Sequence, residues 1–241
     1  MSRNRCSPFS VGPLLAYVLD QLRAAGVQRV VLACGYLAGQ IEHHFGDDFA
    51  GMQLEYRVEE EPRGTGGGIL VGASGITSTF LACNGDSLRE ADLARLLAFH
   101  RERAASATIL VARVDDPSRY GLVEIDEEGR VRAFIEKPTA DEADAGLINA
   151  GLYILEPEVL DLIDTGRSVS IEREVFPVLA ARRESMPFTC PGFGSTSARR
   201  KAISKPISTC STVLPESMRT PRLTWIPPPH SPLLSPLGQA L

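Results

Sequence analysis

Residues 54–86, LEYRVEEEPRGTGGGILVGASGITSTFLACNGD, decide the fold. LEYRVE is extended in pattern, GTGGGILVGA is a glycine turn entering a helix, and STFLACNGD is a second, mostly apolar strand. Strand, helix and strand in this order imply a crossover connection and a parallel pairing. The alternation continues outward on both sides. Toward the amino terminus, PLLAYVLDQLRAA (Pro13–Ala25) has helical spacing with Gly26 as a stop. VQRVVLACG follows as a buried-type strand and AGQIEHHFG as a short helix. Toward the carboxyl terminus, DLARLLAFH (Asp92–His100) is helical and SATILVARV extended. The reading is an α/β protein with a doubly wound, mostly parallel, Rossmann-like sheet.

Residues 120–155 break the rhythm. YGLVEID, a two-residue turn and GRVRAFIEKP read as a hairpin, and INAGLYILEP returns a strand toward the sheet. This β-rich insertion is where a second substrate would be gripped, because ligands of such sheets sit at the carboxyl ends of the strands. Composition shifts again near Gly194. From there to Leu241 there are six basic residues against one acid and eight of the 17 prolines, so the tail carries +5 and residues 1–193 carry −10. WIPPPHSPLLSP can propagate neither a helix nor a central strand, and the tail reads as disordered. The organisation expected is therefore an aberrant segment 1–12, a core 13–193 and an aberrant tail 194–241.

Composition narrows the function. The chain has 241 residues, 44% hydrophobic and 23% charged, with a net charge of −5. That balance excludes a fibrous or wholly disordered chain and lacks the basic footprint of a nucleic-acid binder. No apolar run reaches the ~18–20 residues of a membrane span, and MSRNRCSPFSV lacks the apolar stretch of a secretion signal. A cytoplasmic protein with neither nucleic acid nor membrane as partner is expected, and a homo-oligomer is compatible with the sequence. The five cysteines are scattered without a C-x-x-C pair, and Cys34 and Cys83 sit in apolar runs as small buried residues.

A few polar residues interrupt apolar patterns. Asp86 ends the strand FLACNGD, where a carboxylate meets a metal or phosphate, or where Asn84–Asp86 simply turn the chain. Gly64, Gly66, Gly67 and Gly68 allow close backbone approach to an anionic or planar ligand, or serve as a plain turn, and they match neither a Walker loop nor G-x-G-x-x-G. Glu136 and Lys137 close the hairpin, where a lysine offers a point charge to phosphate or ends a solvated strand. Asn149 interrupts LINAGLYIL, so its amide must be paired with backbone, water or ligand. His43, His44 and His100 are read as solvent-facing helix positions, and Glu59–Glu61 as a solvated acidic face.

Taken as an ordered set, PLLAYVLDQLRAAGV, EEEPRGTGGGI, NGDSL, RYGLVEID, FIEKP, LINAGLYIL and SIEREVFP resemble the sugar-1-phosphate nucleotidyltransferases over roughly residues 13–192. Within that family the chain looks most like bacterial enzymes joining GTP to mannose 1-phosphate or related heptose phosphates, with glucose-1-phosphate thymidylyltransferases second. The resemblance implies a GT-A-like nucleotidyltransferase fold. It places Gly64, Thr65, Gly66 and Gly67 on the nucleotide, Asp86 on Mg²⁺, Lys137 on the sugar's phosphate, and Gly121, Glu136 and Asn149 on the sugar. Asp86 and Lys137 would be the catalytic pair, with a nucleoside triphosphate and a sugar 1-phosphate as partners. A non-catalytic nucleotide-sugar-binding protein is the alternative from another class. A glycosyltransferase of similar topology would need an Asp-x-Asp-like pair where NGD stands.

The chain departs from that family at both ends. Members open with a strand and a G-x-G-T-R-L phosphate loop followed by a K-P pair, and carry a second metal-binding aspartate in a D-I-G-T-P segment. Here GSTSARRKAISKP occupies the place of the latter. Reading the codons of Gly194–Cys210 two bases later, with permitted synonymous choices, returns VDIGTPEGYLEAHLDV. The same operation on Ser2–Gly12 returns VPKPMLPVLGR, which runs directly into PLLAYVLDQL. Frameshifts at both ends are thus the expectation, checked by whether single-base changes in the nucleotide sequence restore these strings. A chain so altered is expected to be impaired, since losing one preorganised donor typically costs about 10²–10³ in rate. Without the opening strand, a sheet neighbour would be left with a bare edge.

Overall fold

RVVLAC (Arg29–Cys34) is the strand around which the amino-terminal half is built, and all but its first residue are buried. A run apolar on both faces belongs between two layers of helices, and the computed structural model of the protein shows that arrangement. It describes residues 12–35, 38–85, 91–114, 121–136, 146–189 and 211–213.

The elements follow in order. Helix α1 (Gly12–Ala24) leads into β1 (Arg29–Cys34), α2 (Ala38–Phe45), the two-residue β2 (Asp48–Phe49) and β3 (Met52–Val58). Next come α3 (Gly64–Gly72), β4 (Phe80–Cys83), α4 (Leu93–Arg103) and β5 (Ala107–Val114). The hairpin is β6 (Gly121–Ile125) and β7 (Val131–Glu136), and β8 (Gly146–Leu155) is the long return strand. A 3₁₀ segment (Pro157–Leu162), a π-helical turn (Ile171–Val175), α5 (Phe176–Ala181), β9 (Ser185–Thr189) and β10 (Ser211–Val213) follow among the described residues.

One ladder runs β10-β1-β3-β2 and the other β7-β6-β8-β5-β9, with β4 on β8. The α/β architecture expected from the sequence is present, but the sheet is mixed rather than mostly parallel. Parallel pairing is confined to β1–β3 and β5–β9 among the described strands. The reason is β8, which re-enters from the insertion in the opposite sense and pairs antiparallel with both β4 and β5.

Alternation along the strands divides the core between two faces. Val30, Leu32 and Cys34 of β1 share one cluster with Leu81 and Cys83 of β4, Leu15 and Leu19 of α1, and Leu96 of α4. Val31 shares the other with Phe80 and Ala82 of β4, Ile69 of α3, and Phe176 of α5. Strands β1 and β4 therefore contribute to both faces of one layer, and β10 lies between them, against β1, β4 and α3. Its ladder with β1 is antiparallel, with Val31 opposite Val213 and Ala33 opposite Ser211.

Two expectations are corrected here. A piece of the tail read as disordered forms β10, because three residues suffice to pair a buried strand edge whose polar groups need partners. The bare edge anticipated beside β1 is thereby covered along Val31–Ala33. The rest of the tail and residues 1–11 lie outside the described residues, so the three-part organisation stays an expectation. No helix among the described residues is long and apolar enough to cross a membrane.

Candidate active site

The glycine run occupies the first turns of α3 instead of preceding it. Gly64 opens the helix with φ +76°, and a Cβ there would stand 2.5 Å from the Val169 carbonyl oxygen. Only glycine fits that conformation and that contact. Two backbone bonds pin the turn, Gly66 N–H to the Val169 carbonyl at 2.9 Å and Val169 N–H to the Arg63 carbonyl at 2.8 Å. Gly66 and Gly67 are buried, Gly66 packing closely against the Val169–Ile171 segment and Gly67 against the Arg63 side chain, so packing is by itself a reason for glycine here.

Thr65 follows with a definite task. Its hydroxyl accepts from Ile171 N–H at 2.9 Å and donates to Glu172 Oε2 at 2.6 Å. Ser170 Oγ donates to the same oxygen at 2.9 Å, and Tyr153 OH to Oε1 at 3.3 Å. Tyr153 also takes a bond from Asn149 Nδ2 at 2.9 Å, while Asn149 Oδ1 accepts from Gly151 N–H at 2.8 Å. The amide that interrupts β8 is thus partnered within the protein, with one Nδ2 hydrogen lacking a partner among the described residues.

The expected sugar-binding residues come together through the ladders. Gly121 lies opposite Glu136 in the hairpin, and Leu122 lies opposite Ile148, the neighbour of Asn149. The carboxyl end of β4 reaches the same place, since Asn84 N–H donates to the Gly151 carbonyl at 3.0 Å. Asp86, two residues beyond Asn84, and Lys137, next to Glu136, lie outside the described residues. Their roles, including Asp86 on Mg²⁺, therefore remain proposals, and no group of three metal-ligating side chains occurs among the described residues.

Two residues depart from the sequence reading. Glu59 belongs to no solvated face: it is 6% exposed, while Glu60 and Glu61 are exposed. Its N–H extends the β1–β3 ladder by bonding the Cys34 carbonyl at 2.8 Å, which turns the side chain inward. Oε1 has no hydrogen-bond partner among the described residues. Burial raises the carboxyl's pKa, and the Arg63 guanidinium offsets part of that rise. His100 is likewise buried, at 1% exposure. Its Nδ1 meets Thr108 Oγ1 at 2.8 Å and its Nε2 meets Glu156 Oε1 at 2.9 Å, so α4 presents it to the core, whereas His43 and His44 are exposed as expected.

Glu172 and Tyr153 were not singled out from the sequence. The signal available was Ser170 opening a short helical turn rich in acids, and the structure shows Ser170 Oγ accepting from Arg173 N–H at 3.3 Å. Nothing in that pattern says which acid turns inward.

Known proteins match this chain over the same region. The family described as nucleotidyl transferase matches residues 4–188. The mannose-1-phosphate guanylyltransferase of Mycobacterium tuberculosis is 47% identical over 171 residues, 70% of this chain and 47% of the relative. Mannose-1-phosphate guanylyltransferase 1 of Arabidopsis thaliana is 37% identical, over 77% of this chain and 52% of the relative. The chain spans about half the length of these curated relatives. Among solved structures, HddC from Yersinia pseudotuberculosis, complexed with GMP-PN, superposes with a TM-score of 0.61 at 27% identity, covering 73% of this chain and 76% of that one.

Proposed function

Because the chain belongs to the nucleotidyl transferase family, we propose that it transfers a guanylyl group from GTP to mannose 1-phosphate, giving GDP-mannose and pyrophosphate. The observation that carries the choice of base is Glu59. Guanine presents two N–H donors side by side on its Watson–Crick edge, and a carboxylate presents two acceptors. A buried carboxyl group near Arg63 and the glycine turn, one of whose oxygens has no hydrogen-bond partner among the described residues, suits that edge. Thymine and uracil offer one donor flanked by carbonyl oxygens, which a carboxylate repels.

The reaction is an in-line displacement. A phosphate oxygen of the sugar phosphate forms a bond to the α-phosphorus of GTP, and the bond to the β-phosphate bridging oxygen breaks, releasing pyrophosphate with its electron pair. No protein nucleophile is needed, so the chain's work is positioning and charge neutralisation. Gly64–Gly67 and Thr65 would seat the nucleotide, Gly121, Glu136 and Asn149 the sugar, and Lys137 the sugar's phosphate. Asp86 supplies the hard oxygen donor that Mg²⁺ prefers, and the bound cation would neutralise charge on the triphosphate.

The test is pyrophosphate release by the purified chain with Mg²⁺ across a panel of triphosphates and sugar 1-phosphates. GTP with mannose 1-phosphate is expected to lead, and E59Q to lose about 10–100-fold of the preference for GTP over dTTP, as one bidentate base contact is worth ~1–3 kcal/mol. Faster turnover of dTTP with glucose 1-phosphate would overturn the reading. Saturable GDP-mannose binding without turnover would favour the non-catalytic alternative. A version in which residues 194–210 are replaced by VDIGTPEGYLEAHLDV is expected to outpace the chain as written.

A further inference from the structure

Three hydroxyl groups from separate elements converge on one carboxylate. Glu172 takes Thr65 from the glycine turn, Ser170 from the segment before the π-helical turn, and Tyr153 from β8. Tyr153 passes the connection on to Asn149. An unbroken run of hydrogen bonds therefore joins the start of α3 to the strand position beside the hairpin. Tyr153 is 1% exposed and the other members are half-buried.

A carboxylate is what this node requires. Thr65 Oγ1 already accepts from Ile171 N–H, and Tyr153 OH already accepts from Asn149, so both hydroxyls are committed to donating toward Glu172. A side chain with one acceptor oxygen cannot serve three donors aimed at two oxygens. Hydrogen bonds to an ionised acceptor are also roughly twice as strong as neutral ones.

The geometry points to Glu172 as a positioning residue that couples nucleotide binding to sugar-phosphate binding. This rests on the proposed function, which assigns the two ends of the network to the two substrates. A ligand that orders Thr65 fixes the Glu172 carboxylate, and through it Tyr153 and Asn149, so the second ligand meets an arrangement already ordered. Coupling of this kind is reciprocal by linkage.

The test measures binding in place of turnover. The full chain with Mg²⁺ is titrated calorimetrically with α,β-methylene GTP, whose bridge to the leaving group resists cleavage, and with mannose 1-phosphate, each alone and with the other saturating. In the wild-type chain each ligand is expected to tighten the other about tenfold. In E172Q the factor is expected to fall to about one, with each ligand's separate affinity changed less than threefold and the melting transition retained. Y153F keeps the Thr65–Glu172 bond while cutting the path to Asn149, so it is expected to lose the coupling as well, and it serves should E172Q fail to fold. Coupling that survives in the folded variants, or that is absent from the wild type while both ligands bind, overturns the inference. A wild-type chain that binds neither ligand overturns the functional reading on which it rests.

Discussion

Gly151 and Glu59 show how single residues trade conformational ease for the site. Gly151 sits in β8 with φ +70°, and a Cβ there would lie 2.7 Å from Asn84 Nδ2. Gly151→Ala is expected to cost about 2 kcal/mol, lowering Tm by about 4–8 °C in a thermal melt, because a left-handed conformation and a clash are imposed together. Glu59 is a stability cost of the opposite kind, a carboxyl buried with one oxygen that has no hydrogen-bond partner among the described residues. Its folded pKa lies above the unfolded value of 4.5. The folded state therefore holds the proton more tightly, and stability falls as pH rises from about 4.5 through the folded pKa. E59Q is expected to raise Tm at pH 7 by about 2–4 °C, what ~1 kcal/mol gives in a chain of this size, and the gain should vanish below pH 4.5. Melts of both proteins across pH 4–8 check it. Little of this was legible in the sequence. Three consecutive glutamates look alike, and only the β1–β3 ladder, set by contacts distant in the chain, buries the first. The glycines were legible as a break in side-chain pattern, but their close packing on Val169 depends on a segment about 100 residues away.

At the scale of elements, helices are anchored by side chains arriving from neighbouring strands. Arg57 of β3 donates through Nη1 to the carbonyls of Val71 at 3.0 Å and Ser74 at 2.8 Å, closing the carboxyl end of α3, while Glu55 holds the same guanidinium. Arg57→Ala is expected to destabilise by about 1.5 kcal/mol, since bonds to a charged donor are lost where helix carbonyls lack intrahelical partners, and urea denaturation measures it. Helix α4 begins at Asp92, whose carboxylate accepts from Arg95 N–H at 3.1 Å, and it docks through His100. His100→Ala is expected to cost about 2–4 kcal/mol, from a cavity plus the buried Thr108 hydroxyl left without its partner, while Glu156 Oε1 keeps its bond from Thr79 Oγ1 at 2.8 Å. Element identities were readable because period and punctuation agree: helical spacing over Pro13–Ala25 with Gly26 as a stop, a glycine turn before Ile69, and extended runs on either side of the turn in the hairpin. The facing of His100 was not, because α4 is polar enough for either orientation of that position to look ordinary. The direction of β8 was also hidden, since a strand apolar on both faces fits parallel and antiparallel neighbours alike.

For the whole molecule, the decisive feature is that β10 stands between β1 and β4. Ending the chain after Cys210 is expected to expose amides of Val31–Ala33 to hydrogen exchange, lower Tm, and raise concentration-dependent aggregation, because a buried strand edge becomes open to pairing. Exchange measured by mass spectrometry on both proteins decides it, and unchanged protection of β1 would remove β10 from the account. Tail composition gave no warning of this strand, because proline density describes the segment's average and a three-residue ladder needs no pattern of its own. There is a temporal side to the arrangement. Between the emergence of Cys34 and that of Ser211 from a ribosome lie 176 residues, about 9–35 s of synthesis at ordinary elongation rates. Throughout that interval the nascent polypeptide carries a half-finished layer, so its fate in a cell depends on how chaperones shelter it while it waits for β10.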